Sequence, residues 1–362
     1  MEQDIYLQLR EQLDQYGVGY PTTKSGVEIK ILKKLFSEEE ARMFLNLSLM
    51  GEPPDSIAKR LNKDVQEVAS LLDHMANKGL LFRLRKKDKV LYAAIPFVIG
   101  IYEFQVGSMD KELAELMEQY LDEGFAEQMA KQTPPLRPIA VKRSVPVAWN
   151  VAPYEDAIEM IKSQKEIAVA NCICRLERKL VGEWCGKPLE VCLSFGPEAR
   201  YYVDSGMARW ITQEEAFNIM DECEKAGLVP QPTSCQNPVA ICNCCGDCCG
   251  VLRSLKKHPR PAEIVLSNYF AEVDPEACTG CETCLERCQM DAITIDMEGV
   301  ASVNRDRCIG CGLCVTTCPG EAITLKPKPK RREPPIKYKD AVVKMAKERG
   351  KDLIPISFKK TS

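Results

Sequence analysis

Sulfur dominates the reactive side chains of this sequence. The 362 residues include 19 cysteines but only two histidines, His74 and His258. All the cysteines lie between Cys172 and Cys318. Eight of them fall into two runs, C-T-G-C-E-T-C-L-E-R-C at 278–288 and C-I-G-C-G-L-C-V-T-T-C at 308–318. Both runs are spaced C-x2-C-x2-C-x3-C, and every cysteine repeats at an offset of 30 residues. The repeat extends outward: Val273 matches Val303, and Asp291-Ala-Ile-Thr-Ile matches Glu321-Ala-Ile-Thr-Leu. Three thiolates two residues apart on a tight loop can wrap three irons of one cubane, and the fourth iron must be held from elsewhere. Zinc sites use paired C-x2-C units at other separations, so iron–sulfur chemistry is the favoured reading.

Residues 264–325 resemble the bacterial two-[4Fe-4S] ferredoxin module, in which the fourth cysteine of each run serves the other cluster. That resemblance implies one cluster on Cys278, Cys281, Cys284 and Cys318, and a second on Cys308, Cys311, Cys314 and Cys288. It also implies a pseudo-two-fold unit. Gly280, Gly310 and Gly312 would let the backbone approach each cluster and aim N–H groups at sulfur. The family places proline after both fourth cysteines. Pro319 conforms, whereas Gln289 stands in the other position, where a polar side chain could tune the potential of that cluster.

The other eleven cysteines lie in 154–261, too many for packing alone. Cys223 falls on the apolar stripe of a helix and reads as a small core residue. Cys172, Cys174, Cys185, Cys192, Cys242, Cys244, Cys245, Cys248 and Cys249 are the candidate ligands. Vicinal cysteines diverge and rarely serve one cluster. The run at 242–249 offers several alternative chelates, among which sequence does not choose. One or two further [4Fe-4S] clusters are expected here, with a zinc or disulfide framework as the alternative. Arg175 could offset cluster charge or make a surface ion pair. The strings C-I-C-R and C-N-C-C are similar to segments of iron–sulfur proteins from anaerobic bacteria.

The elements that must carry these residues read as an α+β, modular chain. Residues 1–95 form an N-terminal helix and a winged-helix-like domain. Ser37 to Glu40 and Asp64 to Glu67 are capping boxes that open helices. A shorter helix fits Asp55–Leu61, and two apolar runs around Arg85-Lys86-Lys87-Asp88-Lys89 read as a hairpin. Segment 37–94 thus resembles winged helix-turn-helix domains. Residues 96–153 form a connector with a helix over Asp110–Lys131 and a Pro-rich stretch. Residues 154–261 form the Cys-rich domain, with helices over Tyr154–Lys165 and from Thr212 to Gly227. Residues 262–325 form the ferredoxin domain, and 326–362 a tail with 13 Lys and Arg against 4 Asp and Glu. That tail could meet an acidic partner or nucleic acid, or simply be solvated.

Composition bounds the function. Hydrophobic residues at 45% and charged residues at 28% fit a globular protein. The N-terminus has no apolar signal core, and the longest charge-free apolar stretch, Val90–Tyr102, contains Pro96 and falls short of the ~20 residues of a membrane span. The expected location is cytoplasmic. No G-x-G-x-x-G and no G-x4-G-K-[ST] is present, so nothing supplies flavin, nicotinamide or ATP chemistry. The leading reading is an iron–sulfur electron carrier, or a relay subunit of an anaerobic oxidoreductase system, with a redox partner protein. The alternative is a redox-sensing winged-helix DNA-binding regulator, and a third is reductive activation of a partner enzyme. Acidic Asp64, Glu67 and Asp73 on the would-be recognition helix weigh against DNA.

Overall fold

A computed structural model describes residues 4–359 except 87, 130 and 147–150. The N-terminal region is built from helices Ile5–Leu13, Val27–Leu35, Glu38–Phe44, Pro54–Leu61 and Val65–Asn77. Ser37 caps the third helix with both halves of a capping box: its hydroxyl accepts from Glu40 N–H, and the Glu40 carboxylate accepts from Ser37 N–H. Asp64 caps the fifth by accepting from Gln66 and Glu67 N–H. Pro54 takes the first position of the fourth helix, where its missing N–H costs nothing. Strands β1 (Phe82–Lys86) and β2 (Lys89–Ala93) form an antiparallel hairpin, and Glu52 bridges to Tyr92 as a third, single-residue strand.

The expected single helix over 110–131 divides into Lys111–Tyr120, a wider turn at Leu121–Phe125, and Ala126–Met129. Gly124 lies in that wider turn, closely packed against Thr23 and Pro21. The expected helix Tyr154–Lys165 is shorter, Ala157–Lys162: Asp156 turns out of the helix and caps its start, and Ser163 is its C-cap.

The Cys-rich region centres on an antiparallel five-stranded sheet. Its strands are β3 (Ile167–Asn171), β4 (Glu190–Phe195), β5 (Ala208–Ile211), β6 (Val229–Pro232) and β7 (Ala240–Cys244), ordered β5-β3-β4-β7-β6. Its two faces serve two cores. Ile167, Val169, Val191, Leu193 and Ile241 face one, while Ala170, Cys192, Cys242 and Cys244 face the other. This is the period-two alternation of a pleated strand. Pro230 and Pro232 lie on the edge strand β6. Their carbonyls accept from Ile139 and Arg137 N–H of the connector, which covers that edge.

The ferredoxin region has β8 (Tyr269–Val273), β9 (Ile293–Ile295), β10 (Ala301–Val303) and β11 (Ile323–Pro327), paired β8 with β11 and β9 with β10. The residues beyond it are not simply solvated. Helix Tyr338–Glu348 buries Ala341, Val342, Met345 and Ala346, and Arg349 returns to the carbonyls of Asp14 and Gly17. No helix is long and apolar enough to cross a membrane among the described residues.

Glu118 ties the helical part to the Cys-rich part. Its carboxylate meets Arg178 at 2.6 Å and also pairs with Arg253. Partial burial opposes its charge, but the two guanidinium groups overcome this and hold its pKa at about 2. A depressed carboxylate pKa gives stability that is present above the unfolded value and lost as pH falls through the folded one. We expect Glu118→Gln to lower stability at neutral pH by about 1–2 kcal/mol, after discounting for solvent screening. In denaturant titrations the gap to the parent should hold from pH 8 to 5 and begin to close below about pH 4.5.

Candidate metal centres

The ferredoxin region repeats its geometry as well as its sequence. Ala271 N–H donates to Cys308 Sγ at 3.3 Å, and its counterpart Ala301 N–H donates to Cys278 Sγ at 3.5 Å. Gly280 and Gly310 share φ near +69° and +68°. Asp291 and Glu321 share φ of +51° and +50°. A Cβ on Gly310 would lie 2.2 Å from the Tyr269 carbonyl oxygen, so only glycine fits there. Burial raises the pKa of Cys284 and of Cys314; the charges of Cys281, Cys278 and Cys318 add to it at Cys284, and those of Cys311, Cys308, Cys288 and Cys284 at Cys314.

The two groups differ in their surroundings. Cys281 is exposed, and bonds from Thr283 lower its pKa. Burial pushes the Cys311 thiol up to about 12. The connector accounts for part of this cover, since Val141 N–H donates to the Cys311 carbonyl at 2.9 Å and Ser144 packs over Gly312. Buried thiols disfavour their charged form unless a cation is bound. N–H groups aimed at sulfur and close-approach glycines suit a thiolate-held cluster, so the donor set fits [4Fe-4S].

In the Cys-rich region the vicinal pairs diverge. Cys244 and Cys249 lie against one core with Cys174, Cys192 and Cys242. Cys245 and Cys248 lie against the other with Cys172 and Cys185. Cys172, Cys174, Cys192, Cys242, Cys244 and Cys249 line one cavity, closed on its apolar side by Val98, Leu121 and Phe125. Tyr102 borders this cavity and donates to Glu177. Burial pushes both Glu177 and Glu103 up to about 8. Cys223 is 1% exposed on its helix, and Cys235 is buried beside Thr233; neither borders the cavity. None of the 19 cysteines is in a disulfide. His74 is exposed and His258 half-buried, and neither borders the thiol-lined cavity.

Two residues that sequence had left open are settled by position. Arg175 is not a surface residue: it is fully buried, bonded to the carbonyls of Pro188 and Asn243, and flanked by Cys172, Cys245, Cys244 and Cys185. Gln289 turns out to be a junction. Its side-chain oxygen accepts from Gly246 N–H at 2.7 Å, joining the residue after Cys288 to the residue after Cys245. Arg287 and Arg307 reinforce the contact through the carbonyls of Glu224, Lys225 and Lys256. The Pro-to-Gln departure was visible in sequence, but its partner 43 residues away was not.

Comparison with known proteins matches residues 271–325 to a family described as "4Fe-4S dicluster domain". No curated protein and no solved structure matches the chain. The dicluster match supports [4Fe-4S] clusters in residues 271–325 and an iron–sulfur electron-transfer role for them.

Gly310 and Gly299 separate close approach from backbone freedom. Both have positive φ, but nothing lies within 4 Å of a Cβ on Gly299. Gly310→Ala should lose about half of the dicluster iron on anaerobic purification, whereas Gly299→Ala should keep it and lose only about 1 kcal/mol of stability.

Proposed function

We propose that this chain is an electron-relay subunit. Cys278, Cys281, Cys284 and Cys318 would hold an outer cluster and Cys308, Cys311, Cys314 and Cys288 an inner one, and these would supply single-electron transfer between a partner at the Cys281 end and the Cys-rich region. The observation that carries this reading is the Gln289–Gly246 hydrogen bond, which puts the backbone beside Cys288 against the backbone beside Cys245. The exposure of Cys281 and the connector's cover over Cys311 give the dicluster one outer and one inner end. When bound, each cubane supplies one-electron chemistry, and the cysteines of this chain would hold it.

A further [4Fe-4S] cluster in the cavity lined by Cys174, Cys192, Cys242, Cys244 and Cys249 would receive the electron. The partner is a redox protein that docks at the Cys281 face. Nothing in the chain supplies two-electron chemistry, so a carrier is favoured over a stand-alone enzyme.

The order of helix, bridging strand, two helices and hairpin in 37–94 supports the winged-helix reading, as an internal docking module. Arg83 is spent on Asp73 and Arg85 on Asp204, so two of the basic hairpin residues face carboxylates rather than phosphate. Tyr201 donates to the carbonyls of Ala76 and Leu81, fixing the module to the Cys-rich region. No observation favours DNA as its target.

Anaerobic purification with iron and acid-labile sulfide counts tests the relay. About twelve irons are expected per chain, eight from the dicluster and four from the cavity. Eight alone would confine the relay to the dicluster. Gln289→Pro restores the family's residue and removes the junction bond. It should keep the iron content and slow reduction of the cavity cluster at least tenfold in stopped-flow, while leaving the dicluster rate unchanged.

A further inference from the structure

Cys185, Cys245 and Cys248 gather more tightly than any other candidate ligands. Their three sulfurs lie within 4.8 Å of one another, with Cys185 and Cys245 3.8 Å apart. The separation is far too long for a disulfide. It is the spacing of a single tetrahedral ion, since bonds of about 2.3 Å to one zinc place the sulfurs about 3.8 Å apart. Cubane thiolates each bind a different iron and point outward, so they stand wider. No three of the eight dicluster thiols gather this closely among the described residues.

The local backbone suits one ion. Cys245 and Cys248 form a C-x2-C chelate on the turn after β7, and Cys248 N–H donates to the Cys245 sulfur. Cys185 comes from the segment 181–189, which has neither helix nor strand. Lys187 and Asp247 pair at 3.3 Å across the same two segments, at the rim. Behind the trio lies the buried Arg175 guanidinium, whose hydrogen bonds go to carbonyls rather than to a carboxylate. A buried cation needs a compensating anion, and a thiolate-rich centre supplies one.

We propose that Cys185, Cys245 and Cys248 hold one thiophilic divalent ion, zinc, separate from every iron–sulfur cluster, with solvent as its fourth ligand. Binding turns three thiols into thiolates and releases their protons. The ion staples segment 181–189 to the turn that presents Gly246 to Gln289. Cys172 shares this core but stands outside the trio's spacing, and it is not a ligand.

Elemental analysis of the full-length protein, purified anaerobically, tests this. One zinc per chain is expected. Cys185→Ala and Cys248→Ala should each lose it while the dicluster signals persist, and Cys172→Ala should keep it. Protein produced in zinc-depleted, cobalt-supplemented medium should show thiolate-to-cobalt charge-transfer absorption. The proposal is overturned if the protein is zinc-free and Cys185→Ala removes about four irons, which is a cubane's worth. Zinc that survives loss of Cys185 or Cys248, or that leaves with Cys172, overturns it equally. Should the alanine variants fail to accumulate, the parent protein decides: less than one zinc per chain, or cobalt without thiolate bands, overturns it.

Discussion

Neighbouring side chains on an extended backbone point to opposite faces, and the Cys-rich half of this protein is organised around that constraint. On β4 and β7 it sends Cys192, Cys242 and Cys244 to one face of the sheet. It forces Cys245, one residue further, to the other face. The Cys248-Cys249 pair repeats the split at the start of helix Gly250–Lys257. A string of crowded thiols is thereby sorted into two groups on two cores. Arg175 lies between the groups, a buried cation among sulfurs of both. An apolar side chain there would leave the surrounding thiolates without a compensating charge.

The rest of the chain holds these sulfurs against the dicluster segment. The connector runs along the edge of the sheet at β6, bonding to proline carbonyls that have no N–H to return, and continues to cover the loop of Cys311. Glu118 draws Arg178 and Arg253 together from two helices that begin next to cysteines. Helix Tyr338–Glu348 closes back through Arg349 onto the N-terminal region. One apolar cluster consequently includes residues from the first helix, the sheet, the dicluster and the C-terminal helix. The sequence divides into segments with different compositions, but the folded chain packs them around shared cores.

What could be read from sequence was local or periodic. The 30-residue repeat announced the dicluster, and the two halves match in φ values and in N–H to sulfur bonds. Ser37 and Glu40 announced a helix start that forms with both reciprocal bonds. Failures came where distant residues decide. Cys185 joins Cys245 and Cys248 only because a chain reversal of some sixty residues brings them together. The surroundings of Arg175 combine its own helix start at Cys172 with the segments of Cys185–Pro188 and Asn243–Cys245, which is why a buried cation and a surface ion pair looked equally suited to it. Gln289 stood out as a departure from the ferredoxin pattern, but its meaning lies in Gly246.

If the dicluster and the Cys-rich region form one relay, their reduced centres must sense each other through space. Electron paramagnetic resonance during stepwise reduction tests this most directly. Successive one-electron reduction should give three paramagnetic cubanes, and the signal of the inner dicluster cluster should broaden and split by magnetic interaction as the cavity cluster is reduced. A spectrum that remains the sum of two dicluster signals at full reduction, with no third spin and no added interaction, would contradict the relay.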